Sequence, residues 1–203
     1  MTTFSSQAAD QDTFIYYGAP TTNYGANAQL QVGVAAAGVV RAILAWDLGF
    51  GIPFMVSKIN SATLSLWVLA DNQTAADTWR VYLLGGATQP NKGWVESEAT
   101  WREDSSGIEW DTYGGDYVTE LGSTSVTASE SVGTEIQFNL NVALIKSIIN
   151  IQWSQGAWLS FLVKADAEGG GGYYALDSAE GATSAERPKL VIDYLPAVMC
   201  QVI

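Results

Sequence analysis

Apolar and polar positions alternate with a period of two along much of this chain, most plainly in Arg41–Ala70, RAILAWDLGFGIPFMVSKINSATLSLWVLA. In its second half Ala62, Leu64, Leu66, Val68 and Ala70 fall on one face, and Thr63, Ser65, Trp67 and Leu69 on the other. Successive Cβ atoms of a strand point to opposite sides of a sheet, so this period predicts a strand with one buried face. Ala42–Leu48 alternates too but is apolar on both faces, which predicts a central strand covered on both sides.

Further strands are predicted at Thr13–Tyr17, Gln29–Val34, Thr78–Leu84, Glu135–Leu140, Ala157–Ala165, Gly172–Asp177 and Lys189–Leu195, with Val40–Leu48 and Ser61–Ala70 completing the set. Val, Ile, Leu, Trp and Tyr dominate them, and Gly, Asn, Asp or Pro separate them. Only Asn141–Gln152 has helical spacing: Val142, Ile145, Ile148 and Ile149 recur at steps of three and four, with Asn141 as N-cap. Gly85–Tyr117 is long, irregular and rich in Trp and Gly, a length that ordinary connections do not reach. The four glycines Gly169–Gly172 read as a flexible hairpin connection; the helix and Lys of a phosphate-binding loop do not follow them. No domain boundary and no internal repeat is visible, so the expectation is one all-β domain over 1–203, its core at about 8–195, with a short N-terminal arm and an apolar C-terminal tail.

At 203 residues such a chain buries roughly 70% of its unfolded surface and needs no staples. The single Cys200 has no partner for an intrachain disulfide. Nine basic residues stand against 21 acidic ones, a net charge of -12, which argues against nucleic acid and against anionic membrane surfaces. The N-terminus MTTFSSQAADQDTF has no basic region or apolar stretch and is not a secretory signal. Arg41, Asp47, four glycines and Pro53 interrupt the most apolar window, Val32–Val56, so no membrane insertion is expected.

Several segments occur in an order that points to one family: AADQDTFIYYG, NYG at Asn23–Gly25, RAILAWDL, SATLSLWV, WVESEATW at Trp94–Trp101, GGDY at Gly114–Tyr117, and YYALDSAEGATSAERPKLVIDY at Tyr173–Tyr194. The ordered set, from about Ala8 to Leu195, resembles the DNRLRE (disaggregatase-related) family of jelly-roll domains, which is similar to some carbohydrate-binding modules. The resemblance implies an antiparallel two-sheet jelly-roll sandwich. It also implies one of two settings, a module of secreted polysaccharide-degrading enzymes and surface proteins or a phage virion protein. A lone domain starting at Met1 without a leader fits the second better. The expectation is therefore a virion-surface structural and recognition protein, a capsid decoration or fibre. Its partners would be other virion proteins or copies of itself, and host polysaccharide at its surface. The alternative is an extracellular, free-standing carbohydrate-binding module.

With no histidine, Ser-His-Asp and Cys-His catalysis and zinc sites are excluded. A carboxylate pair of the glycosidase kind remains as chemistry, but no pair stands out among 21 acidic residues, and the expectation is no enzyme and no catalytic residue. No cofactor is expected. A structural calcium ion is the one metal to weigh, with Asp10, Asp12, Asp47 and Asp193 as strand-end carboxylates; solvated charge is the plainer account of them. Aromatic faces stack on sugar rings and anchor protein interfaces. The candidates for glycan or partner binding are Trp110, Tyr113 and Tyr117, then Trp67, Trp94 and Trp101, the last two also serving to pin the long loop. In the pairs Tyr16–Tyr17 and Tyr173–Tyr174 one ring should face in and one out. The apolar tail LPAVMCQVI is expected to pack on this domain or on a neighbour.

Overall fold

A computed structural model describes residues 2–49, 52, 56–85, 93–152 and 158–197. Cys200, most of the apolar tail and positions 86–92 of the long irregular stretch lie outside the described residues. The strands in chain order are β1 (Thr2–Gln7), β2 (Gln11–Tyr16), β3 (Gln29–Ala35), β4 (Gly38–Asp47), β5 (Val56–Gln73), β6 (Asp77–Leu84), β7 (Glu103–Ser105), β8 (Ile108–Glu109), β9 (Tyr117–Val126), β10 (Glu135–Asn139), β11 (Trp158–Ala165), β12 (Gly172–Asp177) and β13 (Lys189–Pro196). One helix, α1 (Val142–Gln152), joins β10 to β11.

Eleven strands form a single curled antiparallel sheet in the order β1-β13-β5-β12-β3-β4-β11-β6-β9, with β10 also on β5 and β2 also on β4; β7 and β8 pair separately. The turn from one layer to the other is made by β5. Its first part, up to Trp67, pairs with β13 and β10, and its last part, from Val68, pairs with β12. The result is an all-β sandwich whose interior holds Leu44, Trp46, Leu64, Phe138, Phe161 and Ile192 in one cluster.

Three bulges explain how β5 extends beyond the predicted Ser61–Ala70. Against β13, Asp193 faces Ser61 and Tyr194 faces Ile59, so Asn60 is extra; Leu195 faces Lys58 and Pro196 faces Val56, so Ser57 is extra. Each extra residue resets the face, and the buried positions therefore run Val56, Ile59, Ala62 at steps of three before alternation resumes at Leu64 and Leu66. Against β12, Leu69 is skipped and left exposed, and the strand bends where it changes layers.

The helix bears out its sequence pattern. Ile145 and Ile149 are buried in the core, with Val142 and Ile148 packed against it. Asn141 Oδ1 accepts the amides of Ala143 and Leu144 at 3.1 and 3.2 Å, a side-chain N-cap. Asn150 then exchanges two hydrogen bonds with the backbone of Val56, which ties the helix to β5.

Central β4 is covered on both faces, as its two-sided apolar pattern requires. Ala42, Leu44 and Trp46 face the sandwich interior. Ile43 and Ala45 face the opposite side, in a second cluster with Ile15, Leu84 and Leu162 that Trp94, Ala99, Trp101 and Trp110 cover. The long irregular stretch is thus a lid on the outer face of the sheet. Among the described residues no helix is long and apolar enough to cross a membrane.

Candidate functional site

The tryptophans of the lid hold it down. Trp94, Trp101 and Trp110 are between 3% and 7% exposed, so none offers an open face to a sugar ring. For Trp94 and Trp101 this is the loop-pinning role also expected of them from the sequence, and Trp110 joins them in it. An indole clustered in sequence with carboxylates looks like a binding surface, but here the apolar outer face of β4 and its neighbours draws the rings inward. Trp110 Nε1 donates to Thr100 O at 2.8 Å. The Asp116 carboxylate accepts the amides of Asp111 and Thr112 at 2.9 and 2.7 Å, which closes the end of the lid. Of the other candidates, Trp67 is half-buried on β5 opposite Glu135, while Tyr113 and Tyr117 are exposed.

Tyr117 belongs to a ridge. Arg41 lies over the Trp101 ring at 5.0 Å and over the Tyr117 ring at 5.6 Å, and Tyr82 packs on Tyr117 with centroids 4.7 Å apart. Tyr17, 60% exposed, meets the edge of Trp101 at 5.6 Å. Tyr17 and Tyr174 confirm one half of each tyrosine-pair expectation, the first outward and the second fully buried; Tyr16 and Tyr173 are intermediate.

A cleft of about 510 Å³ opens at the other end of the same sheet, lined by Thr3, Ser5, Ser6, Asp10, Asp47 and Trp158. Trp158 starts β11 directly opposite Asp47 on β4, and is 36% exposed. Asp10 Oδ2 accepts the Asp47 amide at 2.7 Å, and Asp47 Oδ1 accepts Gly49 N–H at 2.8 Å, so both carboxylates are fixed in place. A smaller cavity of about 200 Å³ continues past Trp158 between Gln11, Gly93, Trp94 and Ser160. Sequence reasoning missed Trp158. Its signal was phase: Trp158 alternates with the buried Leu159 and Phe161, which puts the indole on the outward side of β11.

The four calcium candidates separate. Asp10 and Asp47 line the cleft, and Asp193 is buried on β13. Only Asp12 joins a carboxylate cluster, and its neighbours are Glu96 and Glu180, two residues the sequence did not single out. One carboxylate oxygen from each lies within 4.8 Å of the others. Asp12 is 1% exposed. Its Oδ2 accepts Ala179 N–H at 2.7 Å, while its Oδ1 is buried with no hydrogen-bond partner. Glu96 Oε1 accepts the Asp12 amide at 2.7 Å. Burial pushes the Asp12 carboxyl up to about 8, against the pull of the Ala179 hydrogen bond, and the negative charges of Glu180 and Glu96 add to the rise. Burial also raises Glu96.

Asn23 and Gly25 build this corner. Asn23 Nδ2 donates to Glu96 O at 2.6 Å and Ala99 O at 2.8 Å, and its Oδ1 accepts the Gly25 amide at 3.1 Å. A Cβ on Gly25 would stand 2.3 Å from Glu96 O, so only glycine lets the two segments approach. The NYG motif thus serves to seat Glu96.

Comparison with curated proteins yields no match. The sequence matches carbohydrate-binding module family 96 over residues 3–194. The match agrees with the carbohydrate-binding part of the resemblance read from the sequence, under a different family name, and such modules bind without catalysing. With an all-β sandwich, a polar cleft floored by an indole and a match spanning nearly its whole length, this chain belongs to carbohydrate-binding module family 96.

Proposed function

We propose that this chain is a non-catalytic carbohydrate-binding module of jelly-roll winding that holds a neutral polysaccharide in the cleft at Trp158. The observation that carries the reading is the pairing of Trp158 with Asp47 across β11 and β4, beside Asp10 and the hydroxyls of Thr3, Ser5 and Ser6. An indole offers a flat apolar face to the C–H side of a sugar ring, while carboxylates and hydroxyls take its hydroxyl hydrogens. Two carboxylates in the cleft and a net charge of -12 set the preference against polyanionic chains.

Affinity electrophoresis of the full chain against neutral and uronate polysaccharides tests this. Retardation by a neutral glycan, lost in Trp158→Ala and kept in Tyr117→Ala, is the expected result. Retardation lost in Tyr117→Ala and Tyr17→Ala but kept in Trp158→Ala moves the site to the tyrosine ridge, the second reading, which rests on the exposed rings along Arg41. No retardation by any neutral glycan overturns the proposal. Display on a virion draws on no contact of the described residues, and carbohydrate recognition carries the proposal without it.

A further inference from the structure

The Asp12 corner is built for a ligand that neither the cleft nor the ridge requires. Three carboxylates converge there from the start of β2, the lid and the turn after β12. The charged groups acting on Asp12 are Glu180 and Glu96, both negative. Asp12 Oδ1 is buried there with no partner, a state it shares with Asp177 Oδ2 and Asp193 Oδ1, and of these three residues Asp12 alone belongs to a cluster of three carboxylates among the described residues. A charged oxygen of this kind carries a large desolvation cost unless a proton or a cation meets it.

We propose that Asp12, Glu96 and Glu180 bind one calcium ion, which clamps the lid and the β12–β13 turn onto β2. The donors are all oxygens, which suits a hard cation and not zinc or copper. Opposite oxygens of a calcium shell lie about 4.6–5.2 Å apart, and a magnesium shell draws them in to about 4 Å. The three oxygens lie within 4.8 Å of one another, within reach of a single calcium shell. Existing hydrogen bonds leave oxygens for it: Asp12 uses Oδ2 on Ala179, Glu96 uses Oε1 on Asp12 N–H, and Glu180 uses Oε2 on the Ser178 hydroxyl at 3.1 Å. Ser178 Oγ also accepts the Glu180 amide at 3.1 Å and sits 2.7 Å from Asn27 O, so the backbone that carries Glu180 is already fixed. Water completes the shell.

The test is a thermal melt and a calorimetric titration of the full chain after chelation and buffer exchange, with calcium or magnesium chloride returned. Calcium at about 100 times its dissociation constant raises Tm by about 5 °C or more, with one ion bound per chain, and magnesium does so less. Glu180→Gln, at an exposed position that folding tolerates, abolishes the calcium shift and the heat of binding. Asp12→Asn gives the second readout. It puts a neutral amide of the same shape in place of a ligand carboxyl, so the ion-free protein melts no lower than the ion-free parent, yet it gains nothing from calcium. No calcium-dependent shift at millimolar calcium, a shift retained in both variants, or an equal shift with magnesium overturns the assignment. The cleft is independent of this site, so glycan retardation by Glu180→Gln is expected to match that of the parent.

Discussion

The Arg41 guanidinium lies 5.0 Å above the Trp101 ring while its Nη1 donates to Gly114 O at 2.7 Å. It thereby joins β4, the middle of the lid and the lid's end in one contact. On its other edge Nε and Nη2 grip both Glu168 oxygens, at 2.7 and 2.9 Å. A fork of this geometry on a 10% exposed side chain is well shielded from solvent. Arg41→Met keeps the stem but orphans Gly114 O and one carboxylate that retains only Lys164, at 3.4 Å. Denaturant melts should show a loss of about 3 kcal/mol. A loss below about 0.5 kcal/mol would mean that the pair is worth no more than a surface ion pair.

Gly114 is the tightest point of that knot. Its φ is +95°, and a Cβ there would lie 2.7 Å from both Arg41 Nη1 and the Trp101 ring. Gly114→Ala therefore meets strain and overlap together and should cost about 2–4 kcal/mol. Substitution at Gly107, with a φ of +75° but open space around it, should cost less because only the backbone term remains. Equal losses at the two positions would show that the packed knot adds nothing.

Trp110→Ala removes a buried indole and its bond to Thr100, at about 3–5 kcal/mol. Hydrogen exchange gives the sharper readout. Amides of the lid, including Asp111 and Thr112, should lose protection first, while β5 and β12 keep theirs, because the lid's cluster is separate from the sandwich core.

Asp177 sets a pH dependence. Burial raises its carboxyl above the ordinary 3.8, Glu186 adds to the rise, and Arg187 opposes it. The folded state thus holds this proton more tightly than the unfolded chain. Its contribution to stability is fullest below about pH 4 and is lost as pH rises through the folded value. Asp177→Asn cannot titrate, so its Tm relative to the parent should be higher at pH 8 than at pH 4.5. A relative Tm that is flat across that range, or falls with pH, contradicts this sign.

Strands β3 and β10 were legible in the sequence because alternation marks their buried face, and they, together with β12 and the helix α1, fall within a residue or two of their expected ends. Four strands were not: β1, β7, β8 and β9. In β9 only Leu121 and Val126 are buried, since this strand pairs with β6 at the margin of the sheet and its pattern is mostly polar. In β1 Phe4 is the one buried residue among residues 2–6, and TTFSSQ is a strand because β13 supplies hydrogen bonds along its whole length. The carboxylate corner was hidden for a different reason. Asp12 takes its neighbours from 84 positions downstream and from the turn carrying Ala179, 167 positions away, and no spacing rule reaches that far. The lid tryptophans were visible as residues, but the sequence left their role open between pinning the loop and binding, because it marks β4 as apolar on both faces without saying what covers the second one.

Pairing of Thr2–Gln7 with Lys189–Tyr194 has a consequence in time. Among the described residues β1 has its only ladder partner in β13, the last strand described. The edge formed by β1 therefore cannot close until β13 has been synthesised, and the loop to be closed runs from Gln7 to Lys189. Folding that depends on such distant pairing is slow, and a newly made β1 waits for β13 beside other nascent chains. Refolding should accordingly show a late phase, absent when β1 is deleted, in which the rest of the sandwich is already protected.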